Sequence, residues 1–204
     1  MLEGVAAYYS EKLAQHGATP QGVDWNSEQA QLIRFDQLIK IIDLGSKDFS
    51  VNDIGCGYGA LLLYLQGKNL NPAYLGVDIS PEMIALARQS SAAKTRARFI
   101  TSSQPDQIAD YGIASGIFNV RLGETEDVWF DYIEATLDVM NRTSRRGFSF
   151  NCLTSYSDEE KKRSYLYYAD PCRIFDLCKR RYSRQVALLH DYGLYEFTVL
   201  IRKM

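Results

Sequence analysis

Apolar and polar positions follow two rhythms along this chain: short apolar runs that suit buried strands, and stretches with an apolar residue every three or four positions that suit helices. Phe49 to Ile54, Tyr74 to Val77, Ala97 to Thr101, Tyr111 to Phe118 and Gly147 to Leu153 read as five strands. Ala60 to Gln66, closed by Gly67, reads as a helix after the first strand, and Ser80-Pro81 supplies a capping hydroxyl and a pre-set first residue for another. Trp129, Ile133, Leu137 and Met140 place a helix after the fourth strand. Ahead of the first strand, Ser27 caps a helix with Leu32, Phe35, Leu38, Ile39 and Ile42 on one face and Gly45 as its stop. Asp170-Pro171 repeats the cap-then-proline signature, and Gln185 to His190 with Tyr195 to Arg202 form an antiparallel pair around Gly193. Alternating strands and helices are the pattern of parallel βαβ units, so the predicted class is α/β.

Composition narrows the picture. The chain has 204 residues, 46% of them hydrophobic, which is enough for one sizeable core. A single domain over 1–204 is expected, with 1–45 as an N-terminal helical lid or cap and 46–204 as the core. A net charge of −2 gives no reason to expect a nucleic-acid partner. No apolar stretch approaches membrane-spanning length, and Glu3, Tyr8 and Tyr9 do not fit a secretory signal, so a cytoplasmic location without a membrane partner is expected. Cys56, Cys152, Cys172 and Cys178 form no C-x-x-C pair and have no neighbouring histidine, which argues against a structural metal. Oligomeric state is not readable from the sequence.

The chemistry concentrates in Asp53-Ile54-Gly55-Cys56-Gly57-Tyr58-Gly59, between the first strand and a helix. Glycines there let a ligand approach the backbone and tolerate positive φ. Gly55-x-Gly57-x-x-Ala60 also satisfies the dinucleotide fingerprint, so the loop alone leaves a nicotinamide-dependent reductase open. Asp53 tips the balance: a carboxylate beside the loop suits the ammonium of a bound methionine and would repel a pyrophosphate. Asp78, ending the second strand next to Ile79, is placed to accept hydrogen bonds from ribose hydroxyls.

On these residues, on the terminal strand pair, and over about residues 49 to 204, the chain resembles the class I S-adenosylmethionine-dependent methyltransferases. Its N-terminal stretch, with Tyr8-Tyr9, Gly22-Val23-Asp24-Trp25 and Gln31-x-x-Arg34-Phe35, is similar to the leader of small bacterial methyltransferases of undefined substrate. The resemblance implies a Rossmann-like, doubly wound, seven-stranded and mostly parallel sheet with an antiparallel last strand, and S-adenosylmethionine as cofactor. It places Gly55, Cys56, Gly57, Gly59 and Ile79 against the cofactor, Asp53 near the methionine amino group, Asp78 on the ribose, and Arg34 on the methionine carboxylate. After the third strand Ser102-Ser103 stand where the family often has an acidic residue for the adenine amino group. After the fourth strand Ser115-Gly116-Ile117-Phe118-Asn119 replaces the Asn/Asp-Pro-Pro-Tyr of enzymes that methylate exocyclic amines.

The resulting expectation is methyl transfer to an O or N atom of a small-molecule acceptor, with a non-catalytic cofactor-binding module as the alternative from another class. Tyr8, Tyr9, Trp25, Phe118 and Asn119 are the candidate acceptor pocket, Trp25 being equally a core anchor. His190, at the end of the sixth strand, is the candidate general base or a structural histidine. Arg34 sits on a helix, where an arginine is more often a surface cation. Tyr165, Tyr167 and Tyr168 divide between covering the substrate and packing.

Overall fold

The computed structural model describes residues 2–23, 27–43, 45, 48–90 and 96–203. Seven strands form one sheet: β1 Ser50–Ile54, β2 Ala73–Asp78, β3 Ala97–Thr101, β4 Ala109–Ala114, β5 Ser144–Leu153, β6 Gln185–Leu189 and β7 Glu196–Arg202, in the order β3-β2-β1-β4-β5-β7-β6. β1 to β5 pair in parallel, and β7 runs antiparallel to both β5 and β6. The predicted class therefore holds, including the antiparallel last strand. Strand order reverses between β1 and β4, and that reversal opens a crevice at the carboxyl ends of the strands.

Among the described residues six α-helices accompany the sheet: α1 Leu2–His16, α2 Glu28–Leu38, α3 Ala60–Gly67, α4 Pro81–Ser90, α5 Glu126–Thr143 and α6 Pro171–Arg181. Alternation along each strand sends neighbouring side chains to opposite faces and so builds two apolar layers. On one face Val199 and Ile201 of β7 pack with Trp129, Ile133 and Leu137 of α5 and Ile174 of α6. On the other, Leu200 packs with Phe35 and Leu38 of α2, Leu61, Leu62 and Leu65 of α3, and Ile84 and Ala87 of α4. Among the described residues no helix is long and apolar enough to cross a membrane.

Local chemistry sets the element ends. Ser27 caps α2 through a bond from Ala30 N at 3.1 Å, and Asp170 caps α6 by accepting from Cys172 N at 2.8 Å, with Pro171 in the first turn. α2 stops at Leu38 and tightens into a 3₁₀ turn over Ile39–Ile41, well short of Gly45, and Leu32 faces solvent rather than the core. β4 ends at Ala114, four residues before the predicted Phe118. Gly116 adopts a φ of 77° there, and its N–H donates to Asn151 Oδ1 at 2.8 Å, which turns the chain off the sheet.

Opposite ends of the sequence meet in a buried ionic knot. The Arg34 guanidinium of α2 donates to both oxygens of Glu196 at the start of β7, at 2.8 and 2.7 Å, and Asn151 Nδ2 of β5 donates to Glu196 Oε2 at 2.6 Å. Arg34 and Glu196 are 6% and 1% exposed, so neither charge has water to fall back on.

Candidate functional site

β1 delivers Asp53 and Ile54 to the crevice, and the glycine loop then folds back over the end of β2. Gly55 N and Cys56 N both donate to Val77 O, at 2.7 and 3.0 Å. Gly55 has a φ of 72°, and a Cβ on it would lie 2.1 Å from Ile117 Cγ2, so both backbone and space require glycine. Asp78 braces the loop from β2: its carboxylate accepts from Gly57 N at 2.9 Å and from Ser80 N at 2.9 Å.

The cavity beside this loop is lined by Asp53 to Tyr58, by Asp78, Ile79, Ser80 and Met83, and by Ser102 and Ser103 after β3. Its other side comes from Leu2, Val5, Ala6 and Tyr9 of α1, Ser115, Gly116 and Ile117 after β4, and Tyr132 of α5. α1 lies across both sides. Its carboxyl half packs Leu13 on Tyr58 and Met83, and Ser10 Oγ meets Ser80 Oγ at 3.3 Å and donates to Glu82 at 3.1 Å. Its amino half puts Val5 into the α5 layer.

Electrostatically the site is an acid pocket. Asp53 is 2% exposed, and burial raises its carboxyl to about 7, helped by the nearby Asp78 charge and opposed by the Tyr74 hydroxyl that donates to it. Burial also raises Asp78, against the pull of the backbone N–H groups of Ser80, Gly57 and Ile79. Burial pushes the Cys56 thiol well above its ordinary range, which makes it a wall and not a nucleophile. Two desolvated carboxylates in one cavity, with no lysine or arginine among the described lining residues, favour a ligand that brings positive charge.

Known proteins fit this geometry. A family model described as a methyltransferase domain matches residues 52–144. A Mycobacterium tuberculosis protein named "Putative methyltransferase Rv1506c" is 61% identical over 155 residues, which cover 76% of this chain and 93% of that protein. The chain belongs to the class I S-adenosylmethionine-dependent methyltransferases. Solved methyltransferase folds agree. DhpI bound to S-adenosylhomocysteine superposes with a TM-score of 0.69 at 17% identity, covering 98% of this methyltransferase and 96% of DhpI. The N-methyltransferase NodS of Bradyrhizobium japonicum WM9, also with S-adenosylhomocysteine, gives 0.66 at 14% identity, covering 97% of each chain. At such identities the likeness concerns the fold.

Of the residues singled out in the sequence, Asp53, Gly55, Cys56, Gly57, Asp78, Ile79, Ser102 and Ser103 stand on the cavity wall of this methyltransferase, as does Tyr9. Tyr8 lies behind Tyr9, edge-on at 5.3 Å, and reaches Tyr165 at 6.1 Å. Gly59 has a φ of 87° and faces Ala87 and Phe99, which makes it a packing glycine. Trp25 lies outside the described residues.

Four expectations need correction. Arg34, expected on the methionine carboxylate, is committed to Glu196 and lies off the cavity wall, whereas Gln31 and Phe35 of the same helix line it. His190 is exposed beyond β6 and stacks near Tyr156 and Phe197, because β7 inserts between β5 and β6 and carries β6 to the sheet edge. Phe118 is a fully buried core ring packed on Phe150 and Tyr132. Asn119 is a brace: its Oδ1 accepts from Leu153 N at 3.1 Å, and its carbonyl from Tyr167 N at 2.8 Å. Residues after the early end of β4 are thus shifted, and Ser115 to Ile117 take the cavity positions. Sequence reasoning also missed Val5, Gln31, Met83 and Tyr132. The apolar stripe Leu2, Val5, Ala6, Tyr9 was the signal for the first.

Proposed function

We propose that this methyltransferase binds S-adenosylmethionine with its ribose hydroxyls on Asp78, its adenine toward Ile79, Ser102 and Ser103, and its methionine amino group toward Asp53. The methyl then passes to an O or N atom of a small molecule held under α1. Residues 1–45 act as the lid of this arrangement. The observation that carries the reading is the pair of desolvated carboxylates, Asp53 and Asp78, in a cavity whose described lining residues include no lysine or arginine. A sulfonium and an ammonium satisfy such a pair, and a pyrophosphate does not.

S-adenosylmethionine supplies an electrophilic methyl on a sulfonium. What the chain contributes is alignment and dryness. The glycine loop, fixed by Gly55 and Cys56 on Val77 and by Gly57 on Asp78, is rigid before any ligand arrives. α1 excludes water by seating Leu13 on Tyr58 and Met83. Titration calorimetry with S-adenosylmethionine, S-adenosylhomocysteine and NAD tests this directly. Both sulfur ligands are expected to bind and to raise the melting temperature. Preference for NAD, or no thermal shift at millimolar S-adenosylhomocysteine, would overturn the reading.

A further inference from the structure

The acceptor side of the cavity differs in kind from the cofactor side. Leu2, Val5, Ala6 and Tyr9 stand three and four residues apart on one face of α1, and Gly116, Ile117 and Tyr132 oppose them. Among the described lining residues there is no lysine, arginine, histidine or glutamate, and the two aspartates stand on the cofactor side, Asp53 one residue before the end of β1 and Asp78 at the end of β2. A phosphate or carboxylate entering this wall would lose water and gain no counter-charge, and an ammonium would have to compete with the cofactor for the same two aspartates.

One polar atom at the junction has unmet capacity: Ser115 Oγ is buried without a hydrogen-bond partner. Ala114 pairs with Ile54 in the sheet, so Ser115 follows β4 at the level where Gly55 follows β1. It therefore stands where the cofactor side meets the acceptor side, and it lines the cavity.

Building on the methyltransferase reading above, we propose that the acceptor is an uncharged, mainly apolar molecule with a phenol-type hydroxyl, and that Ser115 Oγ positions that hydroxyl for methylation. The wall supplies no described histidine, lysine or glutamate as a base, and its two aspartates are already engaged, Asp53 by the Tyr74 hydroxyl and Asp78 by Gly57 N and Ser80 N, so the hydroxyl has to be acidic enough to shed its proton without them. A phenol, with a pKa of about 10, meets that demand, and an aliphatic alcohol does not. In the reaction the oxygen forms a bond to the methyl carbon as the carbon–sulfur bond breaks. Sulfur keeps the electron pair and leaves as the neutral thioether of S-adenosylhomocysteine, and the hydroxyl proton goes to water.

The test uses the full chain saturated with S-adenosylhomocysteine and three probes of one shape: 2-naphthol, 2-naphthoate and 2-naphthylmethylammonium. Calorimetry at pH 7 is expected to show 2-naphthol binding at least tenfold more tightly than either charged probe. With S-adenosylmethionine, 2-methoxynaphthalene is expected to form. Ser115→Ala is expected to raise the KM for 2-naphthol about tenfold with kcat changed less than threefold and S-adenosylhomocysteine affinity retained, the pattern of lost positioning. Ala6→Lys, in the half-buried stripe that lines the cavity, is expected to invert the preference toward 2-naphthoate. A charged probe binding as well as 2-naphthol, or Ser115→Ala leaving KM unchanged, would overturn the proposal. If S-adenosylhomocysteine binds and 2-naphthol does not, the acceptor class is wrong and the cofactor reading survives; if S-adenosylhomocysteine does not bind, both are wrong.

Discussion

The two sides of the cavity are held in place by different means. On the proposed cofactor side the backbone does the shaping: Gly55 and Cys56 hang on Val77, and Gly57 hangs on the Asp78 carboxylate. On the proposed acceptor side, side chains of α1, of the turn after β4 and of α5 line the crevice, with α1 meeting α4 through the packing of Leu13 and Tyr9 around Met83 and through the Ser10 hydroxyl. One side is thus fixed by main-chain geometry that few substitutions respect. The other is open to change of shape by substitution on one helix face, which is a physical basis for altering the acceptor without disturbing the cofactor.

The sharpest way to break this contrast is Gly55→Val. It puts a β-branched residue at a φ of 72° and a Cβ into Ile117, so binding of S-adenosylhomocysteine is expected to be lost altogether by calorimetry. Ile117→Ala, from the opposite side of the same contact, should leave that affinity within threefold. Next in size is Glu196→Ala, which removes the bidentate carboxylate from the buried Arg34 guanidinium and is expected to cost about 3–5 kcal/mol in chemical denaturation. Since the pair lies off the cavity wall, S-adenosylhomocysteine affinity measured on the folded fraction should stay within threefold. A tenfold loss with intact stability would return Arg34 to the site.

Asp78→Ala removes the brace on Gly57 and the proposed partner for ribose, and should weaken S-adenosylhomocysteine by about 1–3 kcal/mol. Asp53 gives a smaller, pH-dependent effect. Burial raises its folded pKa from the ordinary 3.8 to about 7, so its contribution to stability is full below pH 3.8 and is lost as pH rises through 7. Relative to Asp53→Asn, the ligand-free protein should therefore lose melting temperature between pH 5 and 8. The ammonium group of the ligand favours the ionised carboxylate beside it, so affinity for S-adenosylhomocysteine should strengthen over the same window, by up to about tenfold per pH unit. A flat profile would take the Asp53 charge out of ligand binding. Smallest of all, Ser10→Ala should cost at most about 1 kcal/mol and raise the rate of ligand release more than it lowers affinity, read by stopped-flow.

The cofactor side was legible because its parts are close in sequence and their chemistry is positional: a strand, a glycine turn, and an aspartate one strand later. The acceptor side was not, for identifiable reasons. Tyr132 sits on α5 among Trp129 and Ile133, where a stripe of apolar spacing hides which member faces a cavity. Phe118 and Asn119 were misplaced because Gly116 ends β4 early, a matter of backbone conformation that the apolar run does not report. Arg34 found a partner 162 residues away, and His190 was carried off by strand order. Neither fact is local.

The Arg34–Glu196 knot also bears on how the chain reaches its native state. Its two halves are separated by nearly the whole sequence, and Glu196 opens β7, the strand that slots between β5 and β6. Closing a loop of that length is entropically expensive, so β1, β2 and β3 with α3 and α4, whose contacts are nearer in sequence, are set to organise first. Until β7 arrives, β5 presents an unpaired edge and Arg34 lacks its carboxylate. The interval before that insertion is when the chain is most exposed to aggregation, and the bidentate pair acts as the latch that ends it.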